Sequence, residues 1–177
     1  STFLGSLANS FYSNIVLENR YLLIWDGLKT TVAISVLATV FGTVLGAAVC
    51  FMRMSGNALL KTCARVYIAV LRGTPVLVLL MLIFYVVFAS VAINPALVAV
   101  IAFGMNFAAY VSEIFRTGIE GVDKGQTEAG VSIGLTRAST FVYVVLPQTV
   151  QRILPVFKGE FISLVKMTSI VGYIAVQ

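Results

Sequence analysis

Long apolar stretches separated by short polar connections run along this chain, and they predict helices that cross a membrane. Residues 27–52, 75–90 and 95–115 are mostly apolar. A membrane helix needs about 20 such residues, because each residue advances it by about 1.5 Å. We predict three spans over these ranges. The second is short and is expected to include part of the helix before it.

Small residues within the first span predict close helix packing. Gly42 and Gly46 are four residues apart and lie on one face of a helix. Residues without bulk allow a neighbouring helix to approach closely. Packing within the bundle is the preferred interpretation, and dimerisation through this pair is the alternative.

A fourth apolar region follows residue 147, but four residues that disfavour helices interrupt it: Pro147, Pro155, Gly159 and Gly172. It also carries the charged residues Arg152, Lys158, Glu160 and Lys166. Irregular backbone at membrane depth is tolerated where it faces protein or a cavity. We therefore predict a discontinuous fourth span whose non-helical backbone faces protein or a cavity and not lipid.

The first 25 residues follow a different pattern from the spans. Phe3, Leu7, Phe11 and Ile15 recur every four residues. This spacing predicts an amphipathic helix that lies on the membrane or links an upstream domain. We divide the chain into this segment, 1–25, and a transmembrane domain, 26–177.

Composition supports an all-α, polytopic membrane protein. The chain is 59% hydrophobic and 11% charged, and its mean hydropathy is +1.00. The net charge of +5 is best explained by basic cytoplasmic loops and does not indicate a nucleic-acid partner. The motif GxxxxGK[ST] is absent, so this chain has no ATP site of that type. It also has no histidine to form a histidine metal site.

Residues 116–147 form a polar interruption between the third and fourth spans. Six charged residues occur between Arg116 and Arg137. We expect Thr127 to cap a short helix with Glu128 in its first turn, and Gly134 to end that helix. Thr136 should cap the next helix. A loop with this much local order predicts a docking element on the cytoplasmic side.

The spacing within this loop resembles a motif of the permease subunits of ATP-binding-cassette importers. That motif is E-A-A, three residues, G, nine residues, I-x-L-P. Here Glu128-Ala129-Gly130, Gly134 and Val144–Pro147 follow the same spacing, with Gly130 in place of Ala and Val144 in place of Ile. The resemblance implies that a set of loop residues couples the chain to an ATPase: Gln126, Glu128, Ala129, Gly130, Gly134, Leu146 and Pro147.

Other segments resemble the polar amino acid branch of that family, among them "YIAVLRGTPVLVLL", "NFAAYVSEIFRTGI" and "FISLVKMTS". The resemblance implies a type I importer permease fold in the bacterial inner membrane, with about four of five core spans present. A fifth span is expected after Gln177, so the chain is expected to be truncated at its C-terminus. Leu79, Gly159 and Met167 depart from the usual residues, and they leave the substrate open.

The resemblance also implies partners. These are two ATPase subunits that bind ATP and magnesium, a second permease subunit, identical or not, and a solute-binding protein or fused domain that delivers an amino acid. This chain itself is expected to hold no cofactor. A channel or secondary carrier without an ATPase, and a membrane scaffold that does not transport, are the alternatives.

Lys166 is the main candidate for substrate contact, because a charge within a membrane span is costly and usually functional. It could bind the carboxylate that every amino acid carries, with Thr168 and Ser169 as nearby hydroxyl donors. The alternative is an ion pair with Glu160 across a helix break. Glu113 and Arg116 are three residues apart, and we expect a local ion pair there.

Overall fold

The protein is described by a computed structural model, which covers residues 3–87 and 93–174. The helices are α1 (Phe3–Phe11), α2 (Arg20–Met54), α3 (Ala58–Gly73), α4 (Val76–Leu82), α5 (Pro95–Glu120), α6 (Lys124–Ser132), α7 (Arg137–Thr140) and α8 (Leu146–Ile174). Short π-helical segments follow α1, α4 and α7. These two ranges contain no strand, so the prediction of an all-α fold is confirmed.

Two of the helices described, α2 and α5, are long and apolar enough to cross a membrane. The pair formed by α3 and the segment Val76–Val87 would be a third span, bent by 106°. The bend lies at Thr74 and Pro75, where the proline ring forces the preceding residue into an extended conformation. The second apolar stretch is therefore either one bent span together with α3 or a re-entrant segment, and its extension into the preceding helix stays a prediction.

The predicted break in the fourth span is wrong. Helix α8 continues without interruption from Leu146 to Ile174, through Pro155 and Gly159. A membrane helix tolerates proline when its surroundings satisfy the backbone group that loses its partner. A Cβ atom built at Gly159 meets no neighbouring group within 4 Å, so no close contact requires glycine there. Glycine lowers the stability of the helix at this position only through its weak helix propensity. The charges that were expected beside a break instead occupy a regular helix.

Close packing of α2 on α5 forms the centre of the bundle. A Cβ atom added at Gly42 would lie 2.8 Å from the carbonyl oxygen of Gly104, and one at Gly46 would lie 2.9 Å from that of Ala108. Ala38 on α2 is fully buried in the same core. The glycine pair therefore packs within the bundle, which was the preferred interpretation.

Buried polar side chains join the helices at three further points. Ser35 on α2 and Thr168 on α8 share a hydrogen bond of 2.7 Å between their hydroxyl groups. The Tyr67 hydroxyl donates to the Met105 carbonyl, and the Asn106 amide donates to the Leu71 carbonyl. Each polar group thus has a partner in an apolar surrounding, which fixes α3 and α8 against the central pair.

Replacing Gly42 with alanine tests this packing. The added methyl group would clash with the backbone of α5, so we expect the variant to lose about 1–3 kcal/mol of stability and to melt at a lower temperature in detergent. Gly27→Ala is the matched control, because a Cβ atom at that position of the same helix meets no other atom within 4 Å. Equal melting temperatures for the two variants would contradict the close approach of α2 and α5.

Candidate functional site

The polar interruption folds as two short helices, and the first begins earlier than predicted. The Asp123 carboxylate accepts a hydrogen bond of 2.7 Å from the Gly125 backbone and caps α6. The prediction that Thr127 caps this helix is wrong, because aspartate caps more strongly and precedes it. Glu128 consequently lies in the second turn, away from the N-terminal end of the helix dipole.

The end of α6 follows the prediction. Gly134 adopts a φ angle of +94°, a conformation that glycine takes without strain. The Leu135 backbone then donates to the Gly130 carbonyl at 3.1 Å, which satisfies the end of the helix. The Thr136 hydroxyl accepts a hydrogen bond from the Ser139 backbone at 3.1 Å and caps α7. The loop therefore has a fixed shape.

Gly130 brings α6 close to α7. The residue is buried, and a Cβ atom there would lie 2.8 Å from the hydroxyl oxygen of Thr140. Thr140 itself is fully buried. The departure from alanine at position 130 thus has a physical reason, because Thr140 fills the space that a methyl group would need.

Helix α8 holds the loop from the other side. The Gln148 side chain donates to the Gln126 side chain at 3.2 Å, and the Arg152 guanidinium donates to the Gly121 carbonyl. Leu146 and Pro147 begin α8 immediately before these contacts. The structure therefore connects the predicted coupling residue Gln126 to α8, which Leu146 and Pro147 begin, whereas Gly130 packs on α7.

An open groove of about 950 Å³ lies between α6, the end of α5 and the start of the α7–α8 unit. Glu128, Lys124 and Arg137 line it together with apolar side chains. Just beyond the groove, Ile133 is 79% exposed at the end of α6. Ala129 is also exposed. Sequence reasoning missed Ile133, although an apolar residue among polar loop positions was a visible signal.

The predicted substrate residues are separated by the continuous helix. Thr168 is 1% exposed, and its hydroxyl group is hydrogen-bonded to that of Ser35. Lys166 and Ser169 are exposed. Glu160 is half-buried. Within the described residues Lys166 and Glu160 form no ion pair, since six residues of unbroken helix put them on different sides.

Charged and aromatic groups meet beside Glu160 and at the inner end of α5. The guanidinium of Arg72 lies over the ring of Tyr110, 5.0 Å from its centroid, and within electrostatic range of Glu160. Arg116 contacts Glu113 at 2.6 Å, so the predicted ion pair is confirmed.

Comparisons with known proteins agree with these features. Residues 38–177 match the family model described as "Binding-protein-dependent transport system inner membrane component". The L-cystine transport system permease protein TcyB of Bacillus subtilis is 39% identical over 92% of this chain and 70% of its own length. A putative glutamine transport system permease protein of Rickettsia felis is 34% identical over 86% of this chain and 71% of its own length.

Solved structures show the same fold. The crystal structure of an amino acid ABC transporter with histidines superposes with a TM-score of 0.78 at 36% identity, over 98% of this chain and 77% of that one. The MetNI methionine ABC transporter in inward-facing conformations gives 0.73 at 22% identity, over 89% of this chain and 77% of that one. At that lower identity the likeness concerns the fold alone.

The family match covers most of the chain, and the helices described include the two capped helices of the polar loop. The chain is therefore membrane-embedded and has the fold of an importer permease. It belongs to the family of inner membrane components of binding-protein-dependent transport systems, as a transport permease subunit.

Proposed function

We propose that this chain is the permease subunit of an ATP-driven amino acid importer in the bacterial inner membrane. The observation that carries the proposal is α6, a short capped helix held between α7 and α8 with an exposed apolar end. Relatives named as cystine and glutamine permeases support an amino acid as the class of substrate.

The partners follow from the surfaces of this site. An ATPase subunit, which carries ATP and magnesium, docks on α6 and contacts Ile133 and the groove around Glu128. A second permease subunit completes the pathway across the membrane. A solute-binding protein, separate or fused, delivers the amino acid on the outer side.

Coupling requires a mechanical link from α6 to the transmembrane helices. When ATP closes the two ATPase subunits, they move α6. The contact of Gln126 with Gln148, the packing of Gly130 on Thr140 and the contact of Gly121 with Arg152 pass that movement to α8. Because α8 is one continuous helix, a shift at its inner end reaches Lys166, and the pathway alternates between inward and outward access.

Lys166 and Ser169 are the substrate contacts that this geometry favours. Both are exposed on α8, and an ammonium group on a membrane helix is stable only where it meets a partner or water. That requirement places the face with Lys166 toward the second subunit or an aqueous pathway. Thr168 contributes indirectly, since its bond to Ser35 fixes the rotation of α8. Glu160 lies two turns closer to the inner end, beside Arg72.

A channel or carrier without an ATPase would not need the exposed apolar end of α6. A single exposed apolar side chain is common on protein surfaces, so the exposure of Ile133 alone does not decide between the two. Its position at the end of a capped helix that carries the spaced loop motif favours the importer, because a docking partner would bury it.

Glu128→Lys tests the coupling surface. The groove already contains Lys124 and Arg137, so the substitution would place three cations there and repel a partner adapted to a carboxylate. We expect the stimulation of ATP hydrolysis by substrate and binding protein to fall at least tenfold in the reconstituted transporter, with the permease still folded. Asp26→Lys, at an exposed carboxylate on α2, is the control. Unchanged stimulation in Glu128→Lys would remove Glu128 from the coupling site.

Lys166→Met tests the substrate pathway. Loss of a charged hydrogen bond to the substrate carboxylate costs about 1.5–3 kcal/mol, and about 1.4 kcal/mol corresponds to tenfold in affinity. We therefore expect amino acid uptake to fall about tenfold or more, and Lys166→Arg to retain most of it. Normal uptake by a Lys166→Met transporter that assembles fully would make this lysine a structural residue.

A further inference from the structure

Four cationic side chains converge where α2, α3 and α5 meet at the end of the bundle predicted to be cytoplasmic. They surround an open cavity of about 320 Å³. Its lining comes from the end of α2, the first turns of α3 and the last turns of α5: Arg53, Met54, Lys61, Arg65, Arg116 and Glu120. This cavity is separate from the groove around Glu128, although Glu120 borders both.

The positive charge of this cavity is only partly neutralised. Arg116 is fully engaged with Glu113 at 2.6 Å and Glu120 at 2.7 Å. The Nε atom of Arg53 is buried and lies 3.7 Å from a carboxylate oxygen of Glu113. It makes no hydrogen bond to any described residue. An N–H group without a partner costs about 1–3 kcal/mol, and more on a charged group. The positive charge of Arg53 is therefore only weakly paired within the described residues.

Lys61 and Arg65 provide the second part of the excess charge. No described carboxylate lies within ion-pair distance of either side chain. They are four residues apart on α3 and project to one side of it. Four cations thus face two carboxylates, Glu113 and Glu120, and the cavity has a net positive charge.

One face of α3 is suited to contact with lipid, and the basic residues border that face. The side of α3 away from the bundle carries Leu59, Val66 and Val70, which are 70%, 57% and 54% exposed. Apolar side chains on the outer surface of a membrane protein contact hydrocarbon or a partner subunit. Lys61 and Arg65 lie between that apolar side and the buried side of α3, next to the ends of α2 and α5. Basic pockets between helices at the cytoplasmic side bind phosphorylated headgroups.

We propose that Arg53, Lys61 and Arg65 bind a phosphate group, which is the headgroup of an anionic inner-leaflet phospholipid or a free phosphate ion. The phosphate lies in the cavity, where the guanidinium of Arg53 donates charge-assisted hydrogen bonds to its oxygens. The two α3 cations bind the remaining oxygens. The bound group ties α3 to α2 and α5, and so it braces the helix that leads to the bend at Thr74 and Pro75.

The test uses the purified transporter in a nonionic detergent with three probes. These are dioctanoyl phosphatidylglycerol, dioctanoyl phosphatidylcholine and inorganic phosphate, and the readout is the melting temperature as a function of probe concentration. We expect phosphatidylglycerol to stabilise the wild type at a lower concentration than phosphatidylcholine. Each nearby cation contributes about 1 kcal/mol to such binding, which is about fivefold in affinity. Lys61→Gln and Arg65→Gln should each weaken the phosphatidylglycerol effect about fivefold.

Matched variants separate this site from general electrostatics. Lys29→Gln removes an exposed lysine from the other end of α2 and should leave the response to phosphatidylglycerol unchanged. The double variant Lys61→Arg with Arg65→Lys preserves both charges and should retain the response to phosphatidylglycerol. It is the decisive variant if Lys61→Gln and Arg65→Gln fail to assemble. Loss of the response in the charge-preserving pair would overturn the site.

The probes also identify the source of the phosphate. Stabilisation by phosphatidylglycerol alone, lost in Lys61→Gln, assigns the site to a lipid. Equal stabilisation by inorganic phosphate, lost in the same variant, assigns it to a free anion. A response that is absent, or that Lys29→Gln reduces as much as Lys61→Gln does, would show that the cavity is not a phosphate site.

Discussion

Close contact between α2 and α5 is the constraint on which the rest of the bundle depends. In a membrane, burial of apolar surface does not distinguish protein neighbours from lipid, so helices associate through tight packing and polar contacts. Gly42 and Gly46 permit this packing because each places backbone where a side chain would otherwise stand. Once α2 and α5 are fixed, Ser35 can reach Thr168 on α8, and Tyr67 can reach the backbone of α5.

The polar loop between α5 and α8 extends this rigid centre. Helix α5 ends at Glu120, and α6 begins four residues later. The short connection limits how far the two helices can move relative to each other. Gln148 and Arg152 hold the loop on α8, while Gly130 packs on Thr140. A force applied at α6 therefore acts on α5 and α8, which already contact each other. This arrangement suits a subunit that receives its energy from a partner.

Local chemistry made much of this structure predictable from the sequence. Gly134 and Thr136 have one strongly preferred role each at helix ends, and both were assigned correctly. The start of α6 was predicted wrongly because Thr127 was chosen as the cap, although Asp123 lies four residues earlier and caps more strongly. The break in α8 was wrong because prolines and glycines disfavour helices in water more than in a packed bundle. Ile133 was missed because the sequence shows an apolar residue among polar loop positions but does not show whether its side chain is buried or exposed.

The central claim is that α6 is the surface on which the ATPase docks. A photoreactive benzoylphenylalanine placed at Ile133 in the assembled transporter tests it directly, with the same group at Leu23 as control. Both positions are at least 70% exposed, but Leu23 lies near the start of α2, away from the loop. On illumination, position 133 should form a covalent adduct with the ATP-binding subunit, and position 23 should not. The absence of that adduct at position 133 in an actively transporting complex would contradict the account.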